Sequence, residues 1–358
     1  MKDVISFARG VPPVEVFPNE ELLLCTEHVI RNHSAQALQY GNGAGYGPLR
    51  RHIATQYHVP VDHVVTGQGS LQLLDHLIRV TIQEGDLVFV EQPTYDRVLT
   101  LFKRAGAKLI GIGITNNAVD IEAVREHLKN GKEPKYFYSI ADFQNPSGTV
   151  MSLNLRKELT ALANQYGFLI IEDGPYRHLR YKGNPIPRLF DLAPDNVVYM
   201  SSYSKRISPG LRTGYMILPE KKAQMVIQMA TDSYVSPSYF DQAIVLDFID
   251  QGFLEKQINR LVKVFSSRIE ILLAALEDHM GPFGNWTRPD GGFYVGLTLN
   301  ESVPPVDIIK ASEQGLLLTD GRGFFLDGGE RFVRLPFCAL KEEQITEGVR
   351  RLAEIIQA

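Results

Sequence analysis

The chain has 358 residues, of which 44% are apolar and 22% charged, and its formal net charge at pH 7 is −4. This composition provides core material for one large or two ordinary globular domains, and it excludes disorder, collagen and small disulfide scaffolds. The slight acidic excess, without any basic stripe, argues against nucleic acid as a partner and favours small molecules.

The only two cysteines, Cys25 and Cys338, lie far apart and lack metal-ligand spacing. We therefore predict neither a structural disulfide nor a metal site. The first residues do not form a signal-peptide pattern, and no apolar run reaches the ~18 residues that a membrane span requires. We expect a cytoplasmic protein with no membrane association.

Seven short runs of β-branched or aromatic residues alternate mostly with amphipathic helical stretches. These runs cover residues 64–66, 87–90, 108–112, 136–140, 168–171, 197–200 and 215–218. The alternation indicates a parallel arrangement, and the near-continuous apolar character of the runs indicates burial on both faces. We predict an α/β fold with a mainly parallel seven-stranded sheet covered by helices on both faces.

Beyond Asp241 the pattern changes to helical periodicity, with helices predicted over 261–280 and 341–357. The first forty residues contain three prolines and cannot begin the large sheet. We therefore predict a large domain over 41–243 and a smaller α+β domain formed by 1–40 with 244–358. Residues 11–17 are predicted to lie over the mouth of the site. Glu15 could favour a substrate with a cationic side chain, but we expect it to be a solvated carboxylate.

Ligands of open α/β sheets bind beyond the carboxyl ends of the strands, so the residues that follow each run are candidates for function. After 64–66, the small residues Gly69 and Ser70 open a helix whose free N–H groups suit a phosphate, although Ser70 could equally be a plain N-cap. Tyr95 follows the second run, and Asn145 lies in a turn after 136–140. Taken alone, an aromatic ring such as that of Tyr95 more often packs than functions, and turn chemistry explains Asn145 equally well.

Charged residues follow the next two runs. Asp173 ends a strand that is otherwise buried, where an unpaired carboxylate is costly. After 197–200 comes a segment that contains Ser202, Ser204, Lys205 and Arg212. A lysine is usually a solvated surface residue, but the position of Lys205 after a strand of the predicted sheet favours a functional role.

Together these side chains match the needs of one cofactor, pyridoxal 5′-phosphate. Lys205 would form an imine with its aldehyde, Asp173 would keep the pyridine nitrogen protonated, and Tyr95 would stack on the ring. We take these three as the catalytic residues. The other predicted cofactor-binding residues are Gly69, Ser70, Leu71, Asn145, Tyr176, Ser202, Ser204 and Arg212.

The order of these motifs resembles that of the fold-type I aminotransferases, in particular the branch with the 2-aminoadipate and kynurenine enzymes. The resemblance covers nearly the whole chain. Its motifs include Gly45-Tyr46-Gly47-Pro48-Leu49-Arg50, Asn145-Pro146-Ser147-Gly148, Ser202-Tyr203-Ser204-Lys205, Pro209-Gly210-Leu211-Arg212 and Arg334-Leu335-Pro336. Leu71, Ala141 and Arg206 depart from the family pattern, since Gln, Pro and a smaller residue are usual there.

The resemblance implies an aspartate aminotransferase-like fold in which Arg334 clamps the substrate α-carboxylate and Gly10 lies beside it. We also assign Asn145 to substrate binding. The resemblance further implies that Tyr40 reaches the cofactor phosphate of the neighbouring subunit, so that the active unit is a homodimer with shared active sites.

We expect a ping-pong aminotransferase in which Lys205 holds the cofactor as an internal imine (aldimine) and moves the α-proton of an L-amino acid, before a 2-oxo acid reverses the sequence. The same residues also support decarboxylation, elimination or oxidation of amino acids, and the sequence does not choose among these reactions.

Two readings outside this chemistry are disfavoured. A nicotinamide dehydrogenase would need a third glycine after Gly67 and Gly69. A non-catalytic cofactor-sensing regulator would carry a helix-turn-helix segment, for which the chain leaves no room before its N-terminal arm.

Overall fold

The computed structural model describes residues 3–115 and 118–357. In chain order the strands are β1 (Ile5–Ser6), β2 (Val64–Gly67), β3 (Leu87–Gln92), β4 (Lys108–Thr115), β5 (Ala118–Val119), β6 (Tyr136–Ser139), β7 (Leu169–Asp173), β8 (Val197–Ser202), β9 (Gly214–Ile217), β10 (Gly284–Trp286), β11 (Tyr294–Leu299), β12 (Leu316–Leu317) and β13 (Phe332–Pro336).

The helices are α1 (Asn19–Ala37), α2 (Gly47–Tyr57), α3 (Ser70–Thr81), α4 (Asp96–Arg104), α5 (Ile121–Lys129), α6 (Leu153–Tyr166), α7 (Leu189–Leu192), α8 (Glu220–Tyr234), α9 (Tyr239–Asp250), α10 (Phe253–Met280), α11 (Ile308–Glu313) and α12 (Glu342–Gln357). Within the described residues, no helix has both the length and the apolar character needed to cross a membrane.

The central sheet has the strand order β2-β9-β8-β7-β6-β3-β4-β5. The pairings from β8 through β7, β6 and β3 to β4 are parallel, whereas β9 is antiparallel to both of its neighbours and β5 is antiparallel to β4. The predicted mainly parallel α/β sheet is confirmed with all seven of its strands. The eighth strand has only two residues, too few to leave a pattern in the sequence.

Alternate residues of the central strands enter two separate cores. On β6, Tyr136 and Tyr138 belong to one apolar cluster, while Phe137 between them belongs to the other. The same alternation holds on β7, where Ile171 and Ile170 face opposite sides. Burial of both faces is the reason why these strands are nearly continuous apolar runs.

The connection between β8 and β9 determines where the site residues lie. Residues 203–213 contain only a short 3-10 turn, Pro209–Leu211, and no α-helix. A parallel crossover needs a dozen or more residues, so β9 returns antiparallel beside β8. Lys205 and Arg212 therefore lie on one loop at the carboxyl end of β8.

A smaller antiparallel sheet, β10-β11-β13, carries the C-terminal part of the chain, where α10 and α12 pack together. The N-terminal strand β1 pairs with β12, so the first residues do join the C-terminal part. The division into 41–243 and the rest stays a prediction. The helix α1 packs along α9, which spans the proposed boundary at residue 243.

Candidate active site

Four of the predicted residues lie at one edge of the central sheet. Tyr95, Asn145, Asp173 and Lys205 end or follow β3, β6, β7 and β8, respectively. Because these strands are parallel neighbours, their carboxyl ends meet at the same edge. The sheet topology therefore brings together residues that are up to 110 positions apart in the sequence.

The amine of Lys205 is largely buried. Its Nζ donates a hydrogen bond to the carbonyl of Gly10 at 3.1 Å and lies 5.7 Å from the ring centroid of Phe293. Among the described residues, no carboxylate forms an ion pair with it. Burial lowers the pKa of this amine, and the charges of Arg212 and Arg334 lower it further. A lowered pKa increases the neutral, nucleophilic fraction of a lysine.

Asp173 is the buried last residue of β7. Its Oδ2 accepts a hydrogen bond from the hydroxyl of Tyr138 at 2.7 Å, whereas its Oδ1 is buried with no hydrogen-bond partner among the described residues. Burial raises the pKa of this carboxyl to about 7. A buried acceptor of this kind calls for a donor, and the protonated nitrogen of a pyridine ring fits that need.

The N-terminus of α3 and the loop before β9 form a tight cradle. Gly69 is the N-cap of α3 at φ 94°, so the alternative that Ser70 is the N-cap is wrong. A Cβ atom on Gly69 would lie 2.5 Å from Nη2 of Arg212, which donates to the carbonyl of Gln68 at 3.2 Å. The first N–H groups of a helix have no partner within it, so those of Ser70 and Leu71 suit an anion beside a guanidinium.

The two predicted serines of the lysine loop differ in their hydrogen bonding. The Oγ of Ser202 accepts from the N–H of Ser204 at 3.0 Å and donates to the carbonyl of Thr213 at 3.3 Å. The Oγ of Ser204 is buried and has no partner in the described part of the chain. Ser202 thus shapes the loop, and Ser204 retains a free hydroxyl.

Aromatic hydroxyls surround the expected position of the ring. Tyr95 is the N-cap of α4, and burial raises the pKa of its hydroxyl to about 12. The hydroxyl of Tyr176 lies 3.2 Å from that of Tyr294, and burial raises its pKa as well. Both groups are therefore neutral donors at physiological pH.

Arg334 on β13 faces the central sheet from the smaller one. Its Nη1 donates to Oδ1 of Asn145 at 3.0 Å, and its Nη2 donates to the carbonyl of Ala8 at 2.9 Å and to Oγ1 of Thr319 at 3.3 Å. Its Nε is buried with no partner among the described residues. The rings of Phe324 and Tyr294 lie 4.6 and 4.9 Å from its Cζ.

The remaining predicted residues are placed as follows. A Cβ atom on Gly10 would lie 2.4 Å from the Tyr294 hydroxyl, so this position admits only glycine without a shift of that ring. Tyr40 is 83% exposed, and its side chain makes no hydrogen bond to any described residue. Its contact with a neighbouring subunit stays a prediction.

Glu15 is exposed, as expected, but its carboxylate also forms an ion pair. Its carboxylate pairs with Arg268 of α10 at 2.7 Å, although half of the side chain is exposed. The guanidinium of Arg268 also donates to the carbonyl of Cys338. Glu15 thus ties residues 11–17 to α10, a contact that joins positions more than 250 residues apart.

Two functional neighbours, Tyr138 and Thr319, were missed at the sequence level. Tyr138 pairs with Ile171 across β6 and β7, so it shares a face with Asp173 two residues further on. A hydroxyl inside a buried apolar strand was the available signal. Thr319 lies in irregular structure, and the sequence around it gave no comparable signal.

A family model described as aminotransferase class I and II matches residues 2–352. The aromatic-amino-acid aminotransferase 1 of Thermococcus litoralis is 36% identical over 99% of this chain and 88% of its own length. The 2-aminoadipate transaminase of Thermus thermophilus is 31% identical over 99% of this chain and 90% of its own.

Among solved structures, an α-aminoadipate aminotransferase from Thermus thermophilus was determined in complex with N-(5′-phosphopyridoxyl)-L-leucine. This chain matches it with a TM-score of 0.94 at 31% identity, covering 99% of this chain and 92% of that one. The likeness therefore extends across all of the elements that carry the site.

Proposed function

Because the chain belongs to the class I and II aminotransferases and is thus a pyridoxal phosphate-dependent transaminase, we propose that Lys205 is its covalent attachment residue and proton carrier. The reaction transfers an amino group from an L-amino acid to a 2-oxo acid in two successive half-reactions of a ping-pong cycle. The observation that supports this assignment is the buried Lys205 amine in the same crevice as the unpartnered Asp173 oxygen.

Pyridoxal phosphate, when bound, supplies an electron sink for the electrons released at the substrate α-carbon. Asp173 would hold the proton on the pyridine nitrogen, using its free Oδ1, while Tyr138 orients the carboxylate through Oδ2. A preorganised carboxylate of this kind contributes roughly 3 kcal/mol to the stabilisation of the developing charge.

Lys205 would bind the cofactor aldehyde in the resting enzyme. Its Nζ would also act as the general base that takes the α-proton of the donor amino acid. Burial and the two nearby guanidinium groups keep the Lys205 pKa low, which favours the neutral amine needed for both tasks.

Arg334 would bind the substrate α-carboxylate in a bidentate contact. Its Nη1 and Nη2 are held by Asn145, Ala8 and Thr319, so the plane of the guanidinium is oriented before substrate arrives. Asn145 and Tyr176 would bind the oxygen of the ring hydroxyl. The cradle of Gly69, Ser70, Leu71, Ser204 and Arg212 would bind the phosphate.

We also propose that two copies of the chain share their active sites, with Tyr40 binding the cofactor phosphate of the partner. Its large exposure supports this, because an aromatic side chain that its own subunit leaves exposed is available to another. Tyr40→Phe should then weaken cofactor binding about tenfold through the loss of one hydrogen bond to a charged group, without affecting the fold.

The decisive experiment is the substitution Lys205→Ala. The purified variant should lack the visible absorbance of a covalently bound cofactor and should transfer no amino group in an assay with an amino acid and a 2-oxo acid. Lys263→Ala, at an exposed position on α10, is the matched control and should behave as the wild type. Turnover by Lys205→Ala at the wild-type rate would overturn the assignment.

Acceptor dependence separates transamination from the other reactions. The wild type should turn over steadily only when a 2-oxo acid is present. Release of ammonia or carbon dioxide without any acceptor would instead indicate elimination, oxidation or decarboxylation.

A further inference from the structure

A surface cavity of about 680 Å³ lies beside the loop that carries Lys205. Its polar lining comprises Arg51, His52, Thr55 and Gln56 of α2, Tyr203 and Arg206 of the lysine loop, and Glu255 at the start of α10. We propose that this cavity binds a small phosphate-bearing anion, separately from the cofactor site.

Arg206 is the first observation behind this proposal. The residue is only 2% exposed, yet no carboxylate of the described chain forms an ion pair with it. Its Nε donates to the carbonyl of Ser202 at 3.4 Å, its Cζ lies 4.4 Å from the ring centroid of Tyr203, and its Nη2 is buried without a hydrogen-bond partner. Burying a guanidinium without an anion is costly.

Arg156 shows how the same fold treats another buried arginine. It is 0% exposed, and its guanidinium makes two hydrogen bonds to the carboxylate of Asp142 and three to backbone carbonyls. For Arg206, the described part of the chain offers no such carboxylate. The contrast points to a counter-ion supplied from outside the chain, through the cavity that Arg206 lines.

The second observation is the charge of the cavity wall. Arg51 is exposed, and no carboxylate among the described residues forms an ion pair with it. The lining thus includes two arginines and His52 but only one carboxylate, that of Glu255. Guanidinium forks match the oxygens of phosphate, and phosphate monoesters approach a charge of −2 at neutral pH because their second pKa is about 6.

The volume of the cavity leaves room for an organic group beyond the phosphate. Because Arg206 follows Lys205 directly in the chain, an anion held by Arg206 bears on the loop that positions the catalytic amine. This site goes beyond the proposed function, which neither uses Arg206 nor requires the cavity.

The test is a titration of the cofactor-saturated enzyme with inorganic phosphate by calorimetry, at constant ionic strength maintained with chloride. We expect saturable binding that leaves the cofactor absorbance unchanged. Arg51→Gln should weaken the binding about tenfold, the loss of one charged hydrogen bond. Arg104→Gln, which removes an exposed arginine of α4, is the matched control and should bind as the wild type.

Arg206→Met provides a second readout. Phosphate should raise the Tm of the wild type, and Arg206→Met should abolish this rise. Without phosphate, Arg206→Met should melt no lower than the wild type, because the uncompensated buried charge is gone. If this variant does not fold, the Arg51→Gln titration still decides the question.

Three results would overturn the proposal: no saturable phosphate binding, binding that Arg51→Gln leaves unchanged, or binding that Arg334→Ala removes, which would place the anion in the substrate site. The proposal would also be overturned if the wild type bound no phosphate and Arg51→Gln changed the oligomeric state, because the cavity would then be a contact between subunits. All of these results concern phosphate binding at the cavity. The phosphate proposal can therefore fail while the transaminase assignment holds.

Discussion

Arg334 and Asn145 face each other across the crevice, with Nη1 of the arginine donating to Oδ1 of the asparagine at 3.0 Å. A guanidinium carries only donors, so the amide must present its oxygen to Arg334 and its NH₂ group away from it. This orientation leaves Asn145 able to donate to the oxygen of the cofactor ring hydroxyl. One hydrogen bond therefore connects the proposed substrate clamp to the proposed cofactor site.

We predict that Arg334→Ala lowers kcat/KM for the amino-acid donor by about 100-fold or more, because two charge-assisted hydrogen bonds to the α-carboxylate are lost. Arg334→Lys should also be poor, since an ammonium does not reproduce the planar fork. Steady-state kinetics measure both effects, with Arg322→Ala on the surface as control. Unchanged efficiency in either Arg334 variant would refute the clamp.

The titration of Asp173 should by itself lower the stability of the cofactor-free protein as the pH rises from about 4 to about 7. Burial raises the pKa of Asp173 to about 7, so the folded state keeps a proton that the unfolded state has already released near its ordinary pKa of about 3.9. Three pKa units correspond to at most about 4 kcal/mol. Urea unfolding of the cofactor-free protein at pH 5 and pH 7.5 measures the difference.

The variant Asp173→Asn lacks this titration, so its unfolding free energy should fall less over the same pH interval. Part of the dependence of the unfolding free energy on pH should remain in this variant, because burial also raises the pKa of Glu172 to about 7. Identical slopes in the wild type and Asp173→Asn would show that Asp173 titrates normally.

Asp142→Asn should destabilise the fold by about 3–5 kcal/mol, because it leaves buried guanidinium groups without their carboxylate. Oδ1 of Asp142 lies 2.9 Å from Nη2 of Arg156, and its Oδ2 lies 2.8 Å from Nη1 of Arg177. The surface pair of Asp320 and Arg322 is the control, and Asp320→Asn should cost less than about 1 kcal/mol. Urea denaturation distinguishes the two, and equal losses would contradict the prediction.

Gly214→Ala should weaken binding of pyridoxal phosphate at least about tenfold. The added Cβ would lie 2.3 Å from the backbone nitrogen of Ser70, so the first turn of α3 must move away from the phosphate cradle. Gly281→Ala, whose nearest atom would be 3.7 Å away, is the matched control. Titration of the cofactor-free proteins, followed by absorbance, measures both affinities. Wild-type affinity in Gly214→Ala would argue against a phosphate at this turn.

The sequence alone predicted the seven main strands and the cofactor-binding candidates at their carboxyl ends. Both depend on local information: strand runs show in the residue pattern, and in a parallel sheet the residue that follows a strand necessarily lies at the binding edge. Lys205, Asp173 and Asn145 were therefore predicted from position and residue type. The two-residue β5 and the Gly69 N-cap were not, because so short a strand and a positive φ leave no periodic signal.

Only the tertiary structure decided which groups contact one another. The carbonyl of Gly10 accepts a hydrogen bond from the Lys205 amine, and Glu15 pairs with Arg268. Within residues 3–115 and 118–357, no carboxylate pairs with Arg206. Each of these outcomes depends on which distant segments pack together. No local sequence pattern predicts these partners, because the packed fold determines both the distance between two charged groups and how far water is excluded from them. Since pKa values and the cost of an unpaired charge depend on that distance and exclusion, the chemistry of the site emerged only with the packed fold.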